Sequence, residues 1–305
     1  MTIVSFVFII NAIYSSRESI ANIENLQNIL IVCIIFSFIY TLAIYAFGFV
    51  YKFSLELISN KKLSNLEILA VYTKANICKY LPGNVMQFVV RNLYAERIGL
   101  SQGKVALGSF IEVFVIATIS VLICVFFIRE QFFSIIYDMV PFVFYIISFI
   151  IFAIILCAIC FLAKKYQFFH KVKYDLIEQL RKTNPTVFVG FVLKSATLVI
   201  FAQILAGTMF YYLIAEISSV SDVSIIIVVS AYTTAWLLGF ITPGSPGGIG
   251  VKESVLLLTL TDIYGSGYIL VSVLMFRIVT IFTDVLAFSF IYLITRKNHS
   301  IKNKQ

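Results

Sequence analysis

Residues 29–51 run for 23 positions without one Asp, Glu, Lys or Arg. At 1.5 Å per residue a helix of that length reaches about 35 Å, enough to cross the hydrocarbon of a bilayer. Further apolar stretches occupy 105–128, 139–163, 187–215 and 268–295, and their only charged residues are Glu112, Lys194, Arg277 and Asp284. Two shorter stretches lie at 2–14 and 223–240. The first has no basic leader and no clear cleavage site, so a removable signal peptide is not expected there. In hydrocarbon every backbone polar group must be satisfied within its own segment, which leaves helices or a closed barrel. Runs this long and this continuous select helices. Composition agrees: 61% of residues are hydrophobic and 12% charged. A soluble domain is about a quarter charged, so a soluble or a disordered chain is excluded. The expectation is an all-α polytopic membrane protein forming one membrane domain over 1–305.

Two apolar stretches are broken. One covers 64–90 and is interrupted between Lys79 and Asn84, where Pro82 and Gly83 fall. The other covers 223–261 and is interrupted at 242–250, which carries Pro243, Pro246, Gly247, Gly248 and Gly250. Proline removes a backbone donor and glycine disfavours helix, so neither stretch continues as one regular helix. Ser64 and Glu67 have capping-box spacing, which predicts a helix starting there.

The placement of the 23 Lys and Arg residues orients these segments. Sixteen fall in 52–63, 91–104, 164–182 and the tail, whereas the loops 15–28, 129–138, 216–222 and 262–267 hold only Arg17 and Arg129. Cytoplasmic segments are rich in Lys and Arg, so the first group and both termini are expected to be cytoplasmic. The 64–90 segment then enters and leaves by the cytoplasmic face, and 223–261 by the external face. About seven spanning helices plus two oppositely oriented re-entrant broken hairpins result.

That arrangement repeats. Each half has a span, a broken hairpin and a second span: 29–128 and 187–295, joined by a linker helix over 139–163. Pro82 lies 23 residues before Val105 and Pro246 lies 22 before Tyr268; Glu112 follows Pro82 by 30 and Arg277 follows Pro246 by 31. Broken hydrophobic segments at matched positions of inverted halves point to a transporter's binding site. Helix N-termini at the breaks would offer free N–H groups to a phosphate. Lys79 and Arg91 flank the first break and could draw in an anionic headgroup, although interfacial snorkelling is the simpler account of Arg91. Glu112 and Arg277 each lie about a third of the way into a span. Intramembrane charges usually pair, so an ion pair between these two across the repeat is expected. Thr280 and Asp284 extend a polar stripe from Arg277 along one helix face.

The string Tyr80-Leu-Pro-Gly-Asn-Val-Met-Gln87, followed by Arg91 and then Glu112, resembles the first signature of the lysylphosphatidylglycerol synthase transmembrane family. Pro243-Gly-Ser-Pro-Gly-Gly-Ile-Gly-Val-Lys-Glu253, followed by Arg277, resembles its second. The resemblance covers nearly the whole chain and implies a flippase-like membrane domain. It implies substrate contacts at Lys79, Pro82, Gly83, Asn84, Gln87 and Arg91, and at Pro246, Gly247, Gly248, Gly250, Lys252 and Glu253. Some stand-alone family members are linked to surface glycan or glycolipid pathways. No soluble synthase domain accompanies these segments, so aminoacyl transfer is not carried over.

The expected partners are a membrane lipid or lipid-linked glycan in the cytoplasmic membrane, and anionic phospholipid against the basic segment 164–182. Cofactor, metal and nucleic acid are not expected. Cys157 and Cys160 have C-x-x-C spacing inside an apolar helix without partner ligands, and His170 and His299 are isolated in basic segments. A membrane glycosyltransferase using a polyprenyl-phosphate donor is the alternative, with Glu18 and Glu24 as external carboxylates. A non-transporting accessory protein of glycan biosynthesis is a third reading. No catalytic constellation is recognisable.

Overall fold

The computed structural model describes residues 26–81, 85–94, 96–127, 185–220, 223–242 and 246–302, apart from the side chains of 96, 126–127, 246 and 297–302. The expected segment 2–14, the linker helix 139–163, the basic segment 164–182 and the external loop with Glu18 and Glu24 lie outside the described residues, as do Pro82, Gly83 and Asn84.

The described residues form helices and 3₁₀ turns without a strand. Helix α1 is Leu26–Ser59 and α2 is Asn65–Ile77. A 3₁₀ turn at Cys78–Tyr80 precedes α3, Met86–Leu93, and a second at Glu96–Ile98 precedes α4, Gln102–Phe127. Then come α5, Pro185–Ser218, and α6, Ile225–Ile241. A 3₁₀ turn at Pro246–Gly248 leads into α7, Val251–Tyr264, and α8, Ser266–Lys302. Long helix, broken pair, long helix thus occurs twice in the described order.

Helices α1, α4, α5 and α8 are long and apolar enough to cross a membrane. The protein is membrane-embedded. Helices α1, α5 and α8 outrun their apolar stretches at both ends, and α4 does so at its start. At 34 residues, α1 reaches about 50 Å, and its extension past the apolar run carries the Lys52–Glu56 ion pair at 2.8 Å. That spacing of four residues supports the last turns where hydrocarbon no longer does. Large apolar side chains such as Ile34, Phe114, Leu193 and Phe282 stand exposed along these helices, as a lipid-facing surface requires.

The partners of a broken segment pack on each other: α2 on α3, and α6 on α7. Helix α2 begins at Asn65 as Ser64 and Glu67 foretell, but the Ser64 side chain makes no capping hydrogen bond. Helices α1 and α8 run side by side in the same direction. The Thr283 hydroxyl donates to the Ser37 carbonyl at 3.1 Å, and the Tyr45 hydroxyl to the Ala287 carbonyl at 3.1 Å, so both numbers rise together. An aromatic cluster ties the halves at the centre. Phe276 of α8 meets Tyr40 of α1, Phe210 of α5 and Tyr232 of α6, with ring centroids 5.3–5.8 Å apart.

Candidate functional site

The two breaks meet. The turn at Cys78–Tyr80 packs on the turn at Pro246–Gly248, and a methyl placed on Gly247 would lie 3.6 Å from the Tyr80 ring. Tyr80 is also beside Asp284, four residues beyond Thr280 on α8, whereas Arg91 on the returning limb lies over Tyr51 near the far end of the α1 apolar run.

Between the breaks lies a cavity of about 140 Å³. One water needs roughly 10–15 Å³ on such a measure, so this is more than a packing gap. Lys79, Tyr80, Gln87, Arg91, Glu112, Gly247, Gly248, Lys252, Arg277 and Thr280 reach its wall, and so do Phe47, Tyr72, Trp236 and Phe240. Six of the twelve predicted contact positions, Lys79, Gln87, Arg91, Gly247, Gly248 and Lys252, are thereby brought to one space, whereas Glu253 is not on its wall. Pro246 is placed in its backbone only. Gly250 stands at the start of α7 and lends its N–H to Glu253 instead of lining the space.

Three ion pairs organise the wall, and none joins Glu112 to Arg277. Glu112 pairs with Arg91, and Arg277 pairs with Glu253. The expected pairing fails because each short helix supplies a nearer partner for the long helix that follows it in its own half. Arg91 does not snorkel: its side chain is 2% exposed. Its guanidinium lies 4.5 Å from the Tyr51 ring, 4.6 Å from Tyr72 and 5.3 Å from Phe88. A planar, weakly hydrated guanidinium can stack on several such rings while its edge still reaches the carboxylate.

In the second pair Glu253 does two jobs. One carboxylate oxygen accepts from the Gly250 N–H at 2.8 Å, closing the first turn of α7. The other accepts from Arg277, with Nε at 2.6 Å. Gly250 has φ +88° and Gly248 φ +76°, conformations that glycine adopts without strain.

The third pair crosses between the halves. The Asp284 carboxylate, 1% exposed, takes the Lys79 ammonium at 2.8 Å. It also accepts from the Asn76 amide at 2.7 Å and the Tyr80 hydroxyl at 2.6 Å. Every donor comes from residues 76–80. Asn76 and Tyr80 were not singled out from sequence, yet their separation of four puts them on one helical face with Lys79 beside them, a signal that was there to read.

One cation is left over. Lys79, Arg91 and Arg277 each hold a carboxylate, whereas Lys252 has no ion pair or hydrogen bond among the described residues. Its stem runs between Gly239 and Gly248. A methyl on Gly239 would come within 2.8 Å of Lys252 Cγ, and one on Gly248 within 2.8 Å of its Cε. The glycines thus open a channel for the lysine stem, and Gly248 faces its own hairpin instead of the opposing one. Among the described residues four basic side chains confront three carboxylates, and Lys252 is the one without an acidic partner.

No family model, curated protein or solved structure matches the chain.

Proposed function

We propose that the protein is a flippase-like translocator of an anionic or glycosylated lipid, or of a polyprenyl-phosphate-linked saccharide, in surface glycan or phospholipid modification. The observation that carries this reading is Lys252, a basic side chain with no carboxylate partner among the described residues, on the wall of a cavity formed where two helix breaks meet. A half-buried basic group without a protein partner suits a site whose partner is a ligand. The N-terminus of α7 lies beside it and adds the favourable end of a helix dipole for an anion. Membership of the lysylphosphatidylglycerol synthase transmembrane family belongs to the same reading, supported by the signature positions Tyr80, Gln87, Arg91, Glu112, Gly247, Gly248, Lys252 and Arg277 on the wall of this cavity.

The membrane arrangement follows from the same reading. Both broken pairs are re-entrant, in halves related by inversion, and both termini are cytoplasmic. The parallel course of α1 and α8 supports this, since it puts Lys52, Lys61 and Lys62 at the same end as Arg296.

The test is reconstitution in proteoliposomes with fluorescent phosphatidylglycerol and, separately, a polyprenyl-phosphate saccharide, measuring leaflet exchange and headgroup composition. Exchange faster than in protein-free vesicles is expected for at least one lipid, and Lys252→Met should slow it roughly tenfold or more, as loss of a charge-assisted contact does. Exchange at the protein-free rate with both lipids defeats the transport reading. A chemically altered headgroup assigns the cavity to an enzyme.

A further inference from the structure

The third ion pair does not look like packing. Both other pairs join a short helix to the next long helix within one half. The pair at Asp284 instead gathers three donors from the end of α2 and the turn after it, and all three donor residues, Asn76, Lys79 and Tyr80, also line the cavity. Lys79 is 22% exposed although its carboxylate is sealed. The ammonium therefore has one side on Asp284 and one on the space a ligand would occupy.

We propose that Asp284 is a proton-binding site coupled to anion capture, so that the protein takes up one proton with each anionic headgroup. This inference rests on the translocator reading. An anion drawn to Lys252 enters the space that Lys79 and Tyr80 already face, and competes with Asp284 for their donors. Two anions sharing one ammonium in low dielectric raise each other's proton affinity. The carboxylate takes the proton, Lys79 stays charged and turns to the headgroup, and no covalent bond changes. Anion and proton enter together, so the net charge of the site is the same before and after.

The other groups around Asp284 fit this role. Tyr40 of α1 and Tyr72 of α2 lie in its field, as does Lys252 of α7, and Arg277 precedes it on α8. Arg277 is held by Glu253 and does not compete for Asp284. By linkage, if anion binding promotes protonation, then protonation promotes anion binding by the same factor. Affinity for an anion must therefore rise as pH falls.

The purified protein, in zwitterionic detergent, is titrated with short-chain phosphatidylglycerol from about pH 8 to about pH 5. A phosphodiester keeps its single charge across that range, so any pH dependence belongs to the protein. Trp236 is the sole tryptophan and lines the cavity, so its fluorescence reports binding. Calorimetry in buffers of different ionisation enthalpy counts protons. Wild type should bind up to about tenfold tighter per pH unit lowered, the limit for one linked proton, and take up close to one proton. Asp284→Asn should bind as tightly at high pH as wild type does at low pH, with no uptake. Lys79→Gln leaves Asp284 without its cation and protonated before the ligand arrives. It should bind more weakly and also take up none, which keeps the test decisive should Asp284→Asn fail to fold. Binding that is flat with pH and free of uptake overturns the coupling and leaves the translocator reading standing. Uptake that persists in Asp284→Asn overturns the assignment to this residue. Absence of binding by wild type at every pH, to short-chain phosphatidylglycerol and to a polyprenyl-phosphate saccharide alike, overturns the translocator reading and the coupling together.

Discussion

Each half of the molecule ties a short helix to the long helix after it through one ion pair, but with the signs exchanged. In the first half the short helix α3 supplies the cation, Arg91, and the long helix α4 the carboxylate, Glu112. In the second, α7 supplies the carboxylate, Glu253, and α8 the cation, Arg277. Their surroundings differ as much as their signs. Arg91 is sealed in three aromatic rings at 2% exposure, whereas Arg277 is 17% exposed and its carboxylate also closes a glycine-rich helix start. One architecture is set in two surroundings: both pairs reach the cavity, but the first is caged by rings and the second also closes the first turn of α7, the helix that carries Lys252.

The comparison is broken most directly at the first pair. Removing one partner of a buried pair typically costs about 3–5 kcal/mol, while replacing both with apolar groups is often neutral. Glu112→Leu alone should therefore abolish monodisperse purification or lower the melting temperature more than any other single change named here. The double variant Arg91→Met, Glu112→Leu should recover most of that stability. It should also retain lipid exchange. A stable double variant without exchange would show that the first pair acts on the ligand after all, and the contrast between halves would collapse.

Neutralising the second pair should invert that balance. Glu253→Gln leaves Arg277, which reaches the cavity, and Arg277→Gln leaves Glu253 still holding the Gly250 N–H, so the stability loss should be about 1.5–3 kcal/mol, that of a hydrogen bond to a charged group. Exchange should fall by more than stability explains at matched protein levels, because the opening beside Lys252 loses its shape. Equal losses of exchange in Arg277→Gln and Arg277→Lys would show that geometry matters there; retention by lysine would show that charge alone does.

Much of this frame was legible in the sequence, and the illegible part has a definite cause. Apolar run length placed α1, α4, α5 and α8 to within about ten residues at each end, because the thickness of hydrocarbon is a property of the bilayer. Pro82 and Pro246 marked the breaks because a missing donor acts locally. Pairing is different. Arg91, Glu112, Glu253 and Arg277 admit more than one opposite-charge matching, and the choice depends on helix rotation and depth, which charge alone does not encode. Arg91 was read as interfacial for the same reason: the polar sequence around it, with Asn92 and Arg97, hides the ring cage that Tyr51 and Tyr72 bring from other helices. The Asp284 cluster lay between, since the polar stripe on α8 and the spacing of Asn76 and Tyr80 were both visible, but not that they meet.

The smallest expected effect tests how far the likeness of the halves extends into packing. Each half uses a glycine of its first long helix to admit the first limb of its hairpin. A methyl on Gly48 would lie 2.6 Å from Leu69 Cδ2, the end of a side chain that can rotate away. A methyl on Gly207 would lie 2.9 Å from Val229 Cα, which moves only if α6 moves. Small residues set close helix approach in membranes, and overpacking against a fixed neighbour costs about 1–3 kcal/mol. Gly207→Ala should therefore lower the melting temperature of the purified protein. Gly48→Ala should change it little, because alanine's better helix propensity, worth up to about 1 kcal/mol, offsets the displacement of Leu69. The backbone contact also holds α6 in place, and α6 carries Gly239 against the Lys252 stem, so Gly207→Ala should slow lipid exchange where Gly48→Ala does not. Equal melting temperatures and equal exchange in the two variants would mean that α6 shifts as easily as Leu69 rotates, and that the second hairpin is held no more firmly than the first.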